Sequence, residues 1–327
     1  MGIWGPLVLL TSVIWLYPII AFHELGHVLG AKLASFRVIS LTLWPFVANF
    51  QPTLSLRLKP KLKSTPHVVG FPIDDSNLGS RYLLFIACGP LAYVAIAIGT
   101  GIAILLGPDL TFVPQLILRG AFISDIMMLM LTLYPAPGSD SAKILKLLFS
   151  RNPVPLLALW GIYGQFIGGI RPRDWNAAML SKLAARAEQS DEEAYRCIVL
   201  YYNALDNKRF ILAGEFIEGA LECASKTNKV ISNVVYNEAA FYQAFVRGDA
   251  VTARTLQPKL STPETYMTLR TKAAIASADG DFVRAEAYAL EALQQLHENP
   301  AEGWVLTERE LLSQFTPLSS AGQPSSG

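Results

Sequence analysis

The sequence predicts a mainly α-helical membrane protein with three to four transmembrane helices, a small membrane-associated β element and a following α-helical repeat domain. Hydrophobic residues make up 52% of the 327 residues, charged residues make up 16%, and the mean hydropathy is +0.34. This composition is typical of a membrane protein with a soluble part. Residues 1–173 include 13 basic and 6 acidic residues, so this half is basic. Residues 174–327 include 14 basic and 20 acidic residues, so that half is mildly acidic. We therefore predict a membrane domain at 1–173, a helical-repeat domain at 174–315 and a disordered tail at 316–327.

The first apolar run extends from Ile3 to Phe22, and its twenty uncharged residues are enough to cross the hydrocarbon core. It lacks the basic n-region and the A-x-A cleavage pattern of a signal peptide. Cleavage there would also remove the segment that carries His23. We predict one long helix over residues 3–34.

The motif HELGH follows the run directly, at residues 23–27. Residues four apart share a helix face, so His23 and His27 can each present an imidazole nitrogen to one metal ion. Glu24 is then placed to accept a proton from a water molecule that the metal activates. The alternative is a helix with two incidental histidines. The motif predicts a metal site at the end of a membrane span.

The pattern changes to a period of two between residues 37 and 71, where β-branched residues alternate with others and prolines interrupt the runs. Such stretches predict short strands. A basic cluster lies among them, formed by Arg57, Lys59, Lys61 and Lys63. The positive-inside rule places this connection in the cytoplasm and the N-terminus outside, and we favour it over a nucleic-acid site. We expect His67, which follows the cluster, to be structural or exposed rather than a metal ligand.

Two further spans are predicted, at residues 82–106 and 113–134. The first is entered through Gly89-Pro90, which is expected where helices pack closely. The second contains Arg119 and Asp125, and ionisable residues in a span are candidates for function. The alternatives are that Arg119 lies near the outer interface and that Asp125 forms a hydrogen bond within the bundle.

A proline-rich turn, TLYPAPGSDS, occupies residues 132–141. Its prolines end the third span, and Asp140 follows them. Asp140 has two interpretations: the N-cap of a helix over 141–150, or a third metal ligand that leaves one position open for water.

These segments together resemble the site-2 protease family, zinc metalloproteases that cleave substrates within or beside the membrane. HELGH, GPLAY at residues 89–93 and the proline-rich turn occur in the family's order. The resemblance covers residues 3–150. It implies that Glu24 is the catalytic base, that the strands form a β element near the substrate path, and that one zinc ion is bound by His23, His27 and Asp140.

Three positions depart from the family's pattern. Tyr93 replaces the usual asparagine of the middle motif, and Thr132 and Ser141 replace the usual asparagine and glycine of the last one. The implied ligands and base are present, so we expect a zinc endopeptidase that hydrolyses membrane-protein substrates. The alternative is a catalytically inert, membrane-anchored scaffold. We expect a multi-pass protein of the cell membrane, of the bacterial inner-membrane type, with its active site toward the cytoplasm.

Residues 153–170 form a fourth uncharged stretch, which is just long enough to span the membrane. The alternatives are that it lies in the membrane interface or packs as a short helix. Beyond it, Gly248 and Gly280 are 32 residues apart, as are Ala253 and Ala285. A helix, a Gly-Asp turn and an alanine-rich helix at this period resemble tetratricopeptide repeats.

A more divergent copy of this repeat is expected near Asp206-Asn207 and Ala213, and an irregular helical bundle is the alternative. Stacked helical hairpins present a concave face to peptides or proteins, so we expect a regulatory protein, a peptide or the substrate to bind there. Three widely spaced cysteines predict neither a disulfide framework nor a thiolate zinc site.

Overall fold

The structure, a computed structural model, describes nine stretches of the chain: residues 4–50, 54–58, 66–107, 111–136, 138–150, 152–183, 190–257, 265–296 and 302–316. These residues form mainly helices and one small antiparallel sheet, as the sequence predicted. The chain divides into two compact units, Met1–Leu157 and Ala158–Gly327. Most of the basic cluster (Lys59, Lys61 and Lys63) and all of the predicted disordered tail except Thr316 lie outside the described residues.

Three long helices dominate the first unit: α1 at Trp4–Leu33, α2 at Leu78–Leu106 and α3 at Phe112–Leu133. Each contains a stretch that is long and apolar enough to cross a membrane. Large apolar side chains point outward from all three helices, including Leu9, Leu105 and Met130. Such outward faces suit a lipid environment and are consistent with a membrane protein.

Glycines allow α1 and α2 to approach each other closely. A Cβ atom on Gly26 would lie only 2.4 Å from the carbonyl oxygen of Cys88, and one on Gly30 would lie 2.7 Å from the Cys88 Cβ. On α2, a Cβ atom on Gly89 would lie 2.4 Å from the ring of His27. The small residues on both helices therefore bring the HELGH motif against α2.

The sheet consists of four antiparallel strands, β1 at Phe36–Leu43, β2 at Phe46–Asn49, β3 at Ser55–Leu58 and β4 at His67–Pro72, in the order β3-β2-β1-β4. β4 pairs with β1 only and so forms one edge among the described strands. β1 begins against α2, where the Phe36 ring packs on Tyr82 and Phe85 at 4.8 and 5.1 Å between ring centroids. This contact fixes the sheet beside the end of α1 that carries HELGH.

Two shorter helices follow: α4 at Asp140–Phe149 lies in the first unit, and α5 at Val154–Ile167 lies mostly in the second. α5 is the fourth apolar stretch predicted from the sequence. Its 14 residues extend about 21 Å, which is less than the roughly 30 Å thickness of a hydrocarbon core. The structure accordingly has three helices of spanning length among the described residues, and α5 is not one of them.

Helical pairs build the second unit. After a short 3₁₀ helix at Pro172–Asp174, the helices are α6 at Ala177–Lys182, α7 at Ser190–Asp206, α8 at Phe210–Ala224, α9 at Lys229–Phe245, α10 at Ala250–Leu256, α11 at Tyr266–Ala278, α12 at Phe282–Leu296 and α13 at Glu302–Leu312. Three successive pairs, α7–α8, α9–α10 and α11–α12, are each joined by a short turn. Adjacent pairs pack together and share an apolar core.

The three turns have the same backbone form. A residue with positive φ occurs in each, at Lys208, Gly248 and Gly280. Five residues later, a fully buried alanine follows in each pair, at Ala213, Ala253 and Ala285. The divergent first copy expected near Asp206 therefore has the same local structure as the two clear ones. The assignment to tetratricopeptide repeats remains a prediction.

A buried ionic cluster lies at the centre of these pairs. The guanidinium of Arg270 donates two hydrogen bonds of 2.6 Å to the Glu238 carboxylate and one to Glu308, and all three side chains are fully buried. Burial raises the pKa of Glu308 to about 7, against the lowering effect of Arg270. The positive charge of Arg270 is thus balanced mainly by the Glu238 carboxylate.

We expect Glu238→Gln to lower the free energy of unfolding of this unit by about 3–5 kcal/mol, because it breaks a buried ion pair and leaves Arg270 with Glu308 alone, a carboxyl that is costly to ionise in its buried position. Glu308→Gln is the matched control and should cost much less at pH 6, where Glu308 is mostly protonated. Chemical denaturation of the full chain in detergent, followed by tryptophan fluorescence, measures both. Equal losses for the two variants would contradict this assignment of charges.

The raised pKa of Glu308 also sets a pH dependence. The folded state holds the proton of this carboxyl more tightly than the unfolded state, whose ordinary value is near 4.5. The contribution of Glu308 to stability is therefore greatest below pH 4.5, declines as the pH rises to about 7 and is constant above that. The same denaturation series should show this decline in the wild type and not in Glu308→Gln.

Candidate metal centre

Helix α1 presents three polar side chains on one buried face. His23, Glu24 and His27 are each less than 10% exposed, although they lie in an otherwise apolar helix. The two histidines are one turn apart, and their Nε2 atoms are 3.1 Å from each other. Both imidazoles therefore face one point, and their assignment as metal ligands stays a prediction.

Asp140 completes a triangle with the two histidines. Its Oδ2 atom lies 3.1 Å from the Nε2 of His23 and 3.1 Å from the Nε2 of His27. Among the described residues, these three are the group whose potential ligand atoms converge closely enough to hold a metal ion. The carboxylate comes from the start of α4, more than 110 residues after the histidines.

The arrangement of hydrogens supports a cation at this point. The Nδ1 of His27 lies 3.0 Å from the backbone carbonyl oxygen of Phe85 and must carry the proton to donate to it. In the neutral ring, Nε2 then presents a lone pair to the Asp140 carboxylate, another acceptor. Ligands about 2.0–2.1 Å from one tetrahedral zinc ion are about 3.3 Å apart, close to the observed separations. The donor set therefore fits a zinc ion with one coordination position left over.

The local structure of the turn explains how Asp140 is presented. Ser139 is the N-cap of α4, and its side chain accepts a hydrogen bond from the backbone N–H of Ala142 at 3.2 Å. The interpretation of Asp140 as the N-cap is therefore wrong: Asp140 is the first residue of the helix, and its carboxylate faces the histidines. Ser141, which departs from the family's glycine, donates a hydrogen bond to the carbonyl oxygen of Tyr134 at 3.0 Å.

Asp140 is held in its charged form. Burial acts in the opposite direction, but the neighbouring imidazoles of His23 and His27 and the charge of Lys143 hold the pKa of this carboxyl well below its ordinary value. The Nζ atom of Lys143 lies 3.4 Å from Oδ1, on the other oxygen of the carboxylate. The other oxygen, Oδ2, therefore remains available to a metal ion.

The two histidines are held in different ways. The ring of His27 is fixed by its hydrogen bond to Phe85. The Nδ1 of His23 is buried and has no hydrogen-bond partner among the described residues. Its ring instead stacks on Tyr93, with 4.5 Å between centroids and 23° between the planes. The tyrosine that departs from the family's motif thereby supports a predicted ligand.

We expect Tyr93→Leu to weaken zinc binding about tenfold, because groups that orient metal ligands contribute a factor of about 10–100 to affinity. Tyr93→Phe keeps the stacked ring and should bind zinc as the wild type does. Competition with a chromophoric chelator in detergent measures the affinity. Equal affinities of the leucine and phenylalanine variants would show that stacking does not orient His23.

A cavity of about 370 Å³ opens beside the triangle. Glu24 lines it together with the three candidate ligands, and Oε2 of Glu24 is buried without a hydrogen-bond partner among the described residues. Thr132, another departure from the family's pattern, also lines the cavity. A buried carboxylate beside a metal position and an open cavity can act as a base.

The remaining candidates have different positions. Asp125 is fully buried in α3, where its Oδ2 accepts a hydrogen bond from Thr100 at 3.1 Å. This is the hydrogen bond within the bundle that the sequence offered as the alternative to a functional role. Arg119 is exposed on the same helix. His67 does not belong to the ligand group, in line with expectation, but it does line the cavity, which the sequence analysis missed.

Comparisons of this chain with protein-family models, with curated proteins and with solved structures find no match. The resemblance to site-2 proteases therefore rests on the three sequence motifs alone.

Proposed function

We propose that this protein is a zinc endopeptidase of the site-2 protease type, which hydrolyses peptide bonds of membrane-protein substrates within or beside the bilayer. One observation carries the proposal: two histidines and a carboxylate from distant parts of the chain converge at 3.1 Å, with a buried glutamate beside them. Both the ligands and Glu24 line one cavity, which can admit a substrate.

His23, His27 and Asp140 would hold the zinc ion, which would supply a Lewis acid able to lower the pKa of water toward about 7 and to polarise a carbonyl group. Glu24 accepts the proton of the attacking water and delivers it to the leaving amine nitrogen. The oxygen–carbon bond forms at the scissile carbonyl, and the carbon–nitrogen bond breaks. The side chains of α1 and α2 keep lipid away from these groups.

The sheet supports a mode of substrate binding. β4 is an edge strand among the described strands, and its first residues, His67 and Val68, line the cavity. An unwound substrate segment can add to such an edge by main-chain hydrogen bonds, which present its carbonyl groups in extended form. A helical substrate must unwind to be cut, because its carbonyl oxygens are otherwise engaged.

We assign the second unit to recruitment of the substrate or of a regulatory protein or peptide, since stacked helical pairs provide a surface for such partners. The three spanning-length helices support a multi-pass protein of the cell membrane. The active site then lies toward the cytoplasmic end of α1, with the N-terminus outside.

Purification of the full chain in detergent, with zinc measured per chain, tests the proposal. We expect one zinc ion per chain and cleavage of members of a panel of single-span membrane proteins after co-reconstitution. A chelator should abolish cleavage, and added zinc should restore it. Absence of bound zinc, with partner binding retained, would instead support the membrane-anchored scaffold.

A further inference from the structure

We propose that His67 is a catalytic residue that donates a hydrogen bond to the scissile carbonyl oxygen as that oxygen becomes negatively charged. The proposal rests on the proposed function and deepens it. His67 is the first residue of β4, opposite Thr42 of β1 in the antiparallel register. It lines the same cavity as Glu24 and the three candidate ligands.

The position of His67 excludes a role as a ligand and favours contact with substrate. Its ring nitrogens are not among the atoms that converge on the metal position, which belong to His23, His27 and Asp140 within the described part of the chain. It is nevertheless close enough to Glu24 to interact with it electrostatically. His67 is thus a wall residue of the cavity that also holds the base and the candidate ligands, where a bound peptide can reach it.

Two other donors that line the cavity already have partners. The Nζ of Lys143 bonds the Asp140 carboxylate, and the Ser139 hydroxyl caps α4 and lies 3.3 Å from the carbonyl oxygen of Tyr134. An imidazole has two ring nitrogens, so His67 can keep a partner at one nitrogen and donate a hydrogen bond from the other nitrogen.

The sheet holds His67 in place. Phe36, at the start of β1, packs on Phe85, whose carbonyl accepts the hydrogen bond of His27. At the same junction, Arg81 of α2 donates to the carbonyl oxygens of Ala34 and Ser35, at 2.6 Å each. His67 itself is placed by its pairing with Thr42 of β1, which is buried, so the backbone of His67 has a defined position in the sheet.

The role follows from where charge develops. When the water oxygen bonds to the carbonyl carbon, its proton goes to Glu24, and the carbonyl oxygen takes up the electron pair. A donor aimed at that oxygen stabilises the transition state more than the bound substrate. The hydrogen bond from His67 strengthens at this step, and the His67 proton is not transferred. When the carbon–nitrogen bond breaks, the electron pair on the oxygen re-forms the carbonyl double bond, and the negative charge on that oxygen is lost.

Kinetics of the reconstituted full chain test the proposal. We expect His67→Ala to lower kcat about 10²–10³-fold, the loss typical of a single oxyanion donor, with a smaller change in KM and an unchanged zinc content. His67→Gln retains an N–H donor and should recover part of the rate. Ile73→Ala is the control for the sheet, because Ile73 follows β4, is mostly exposed and does not line the cavity.

A pair of inhibitors supplies a second readout that does not need a natural substrate. A phosphinic peptide carries a tetrahedral anionic centre, and a peptide hydroxamate binds zinc without one. In zinc-loaded protein, His67→Ala should weaken the phosphinic peptide at least tenfold and leave the hydroxamate nearly unchanged. Equal affinities for the phosphinic peptide in wild type and His67→Ala, or loss of zinc from His67→Ala, would overturn the proposal. A wild type that binds zinc and both inhibitors but cleaves nothing would count against the proposed function alone.

Discussion

Glu24→Gln should abolish peptide hydrolysis while leaving zinc bound. The substitution keeps the size of the side chain and its position on α1 but removes the carboxylate that lines the cavity beside the candidate ligands and is placed to accept the proton of water. Loss of a general base lowers kcat by about 10²–10⁴-fold. Single-turnover cleavage of a co-reconstituted substrate, with zinc measured in the same sample, checks both parts of the expectation.

The control for Glu24→Gln is Glu24→Asp, which keeps a carboxylate at a shorter reach. A small residual rate in the aspartate variant, above that of the glutamine variant, would identify the carboxylate as the active group. Cleavage by Glu24→Gln at the wild-type rate would show that the activity belongs to another site or to a contaminant.

Asp140→Ala should reduce zinc affinity by more than about 100-fold, a larger loss than that expected for groups that only orient ligands. The alanine removes one corner of the triangle and leaves two histidines that can no longer close the site. Isothermal titration or chelator competition in detergent measures the change. We expect cleavage to disappear with the zinc and to return partly at high zinc concentration.

Asp125→Asn provides the matched control for Asp140→Ala. Asp125 is another aspartate of the first unit, but it is fully buried, bonds Thr100 and lies outside the ligand group. Its amide can still accept the hydrogen bond, so zinc affinity should be unchanged. If Asp125→Asn and Asp140→Ala lost zinc equally, the loss would reflect folding of the helical bundle in general.

Much of the site could be predicted from local patterns. The i, i+4 spacing of His23 and His27 fixes their common face within one helix, and apolar length identifies the spans. Asp140 could be proposed only through the order of motifs, because a contact across more than 110 residues leaves no local periodic signal. Its mistaken interpretation as an N-cap arose because Ser139 and Asp140 are both good capping residues, and only the backbone shows which one begins the helix.

The supporting groups were harder to foresee, although a signal was present. Phe85, Gly89 and Tyr93 are spaced four apart and form one stripe on α2, and each of them contacts a histidine of α1. The position of His67 depends on the pairing of β4 with β1, which no spacing within the chain predicts. The scarcity of histidine offered a further indication, since three of the four in the chain line one cavity.

The distance in sequence between the ligands has a consequence for biosynthesis. A nascent chain that ends before α4 contains both histidines and the base but lacks the carboxylate that closes the triangle. The metal site can therefore form only after the third spanning-length helix and the turn beyond it have been made and have folded against α1. The proposed peptidase would therefore stay inactive during its own insertion and become competent only when its helical bundle is complete.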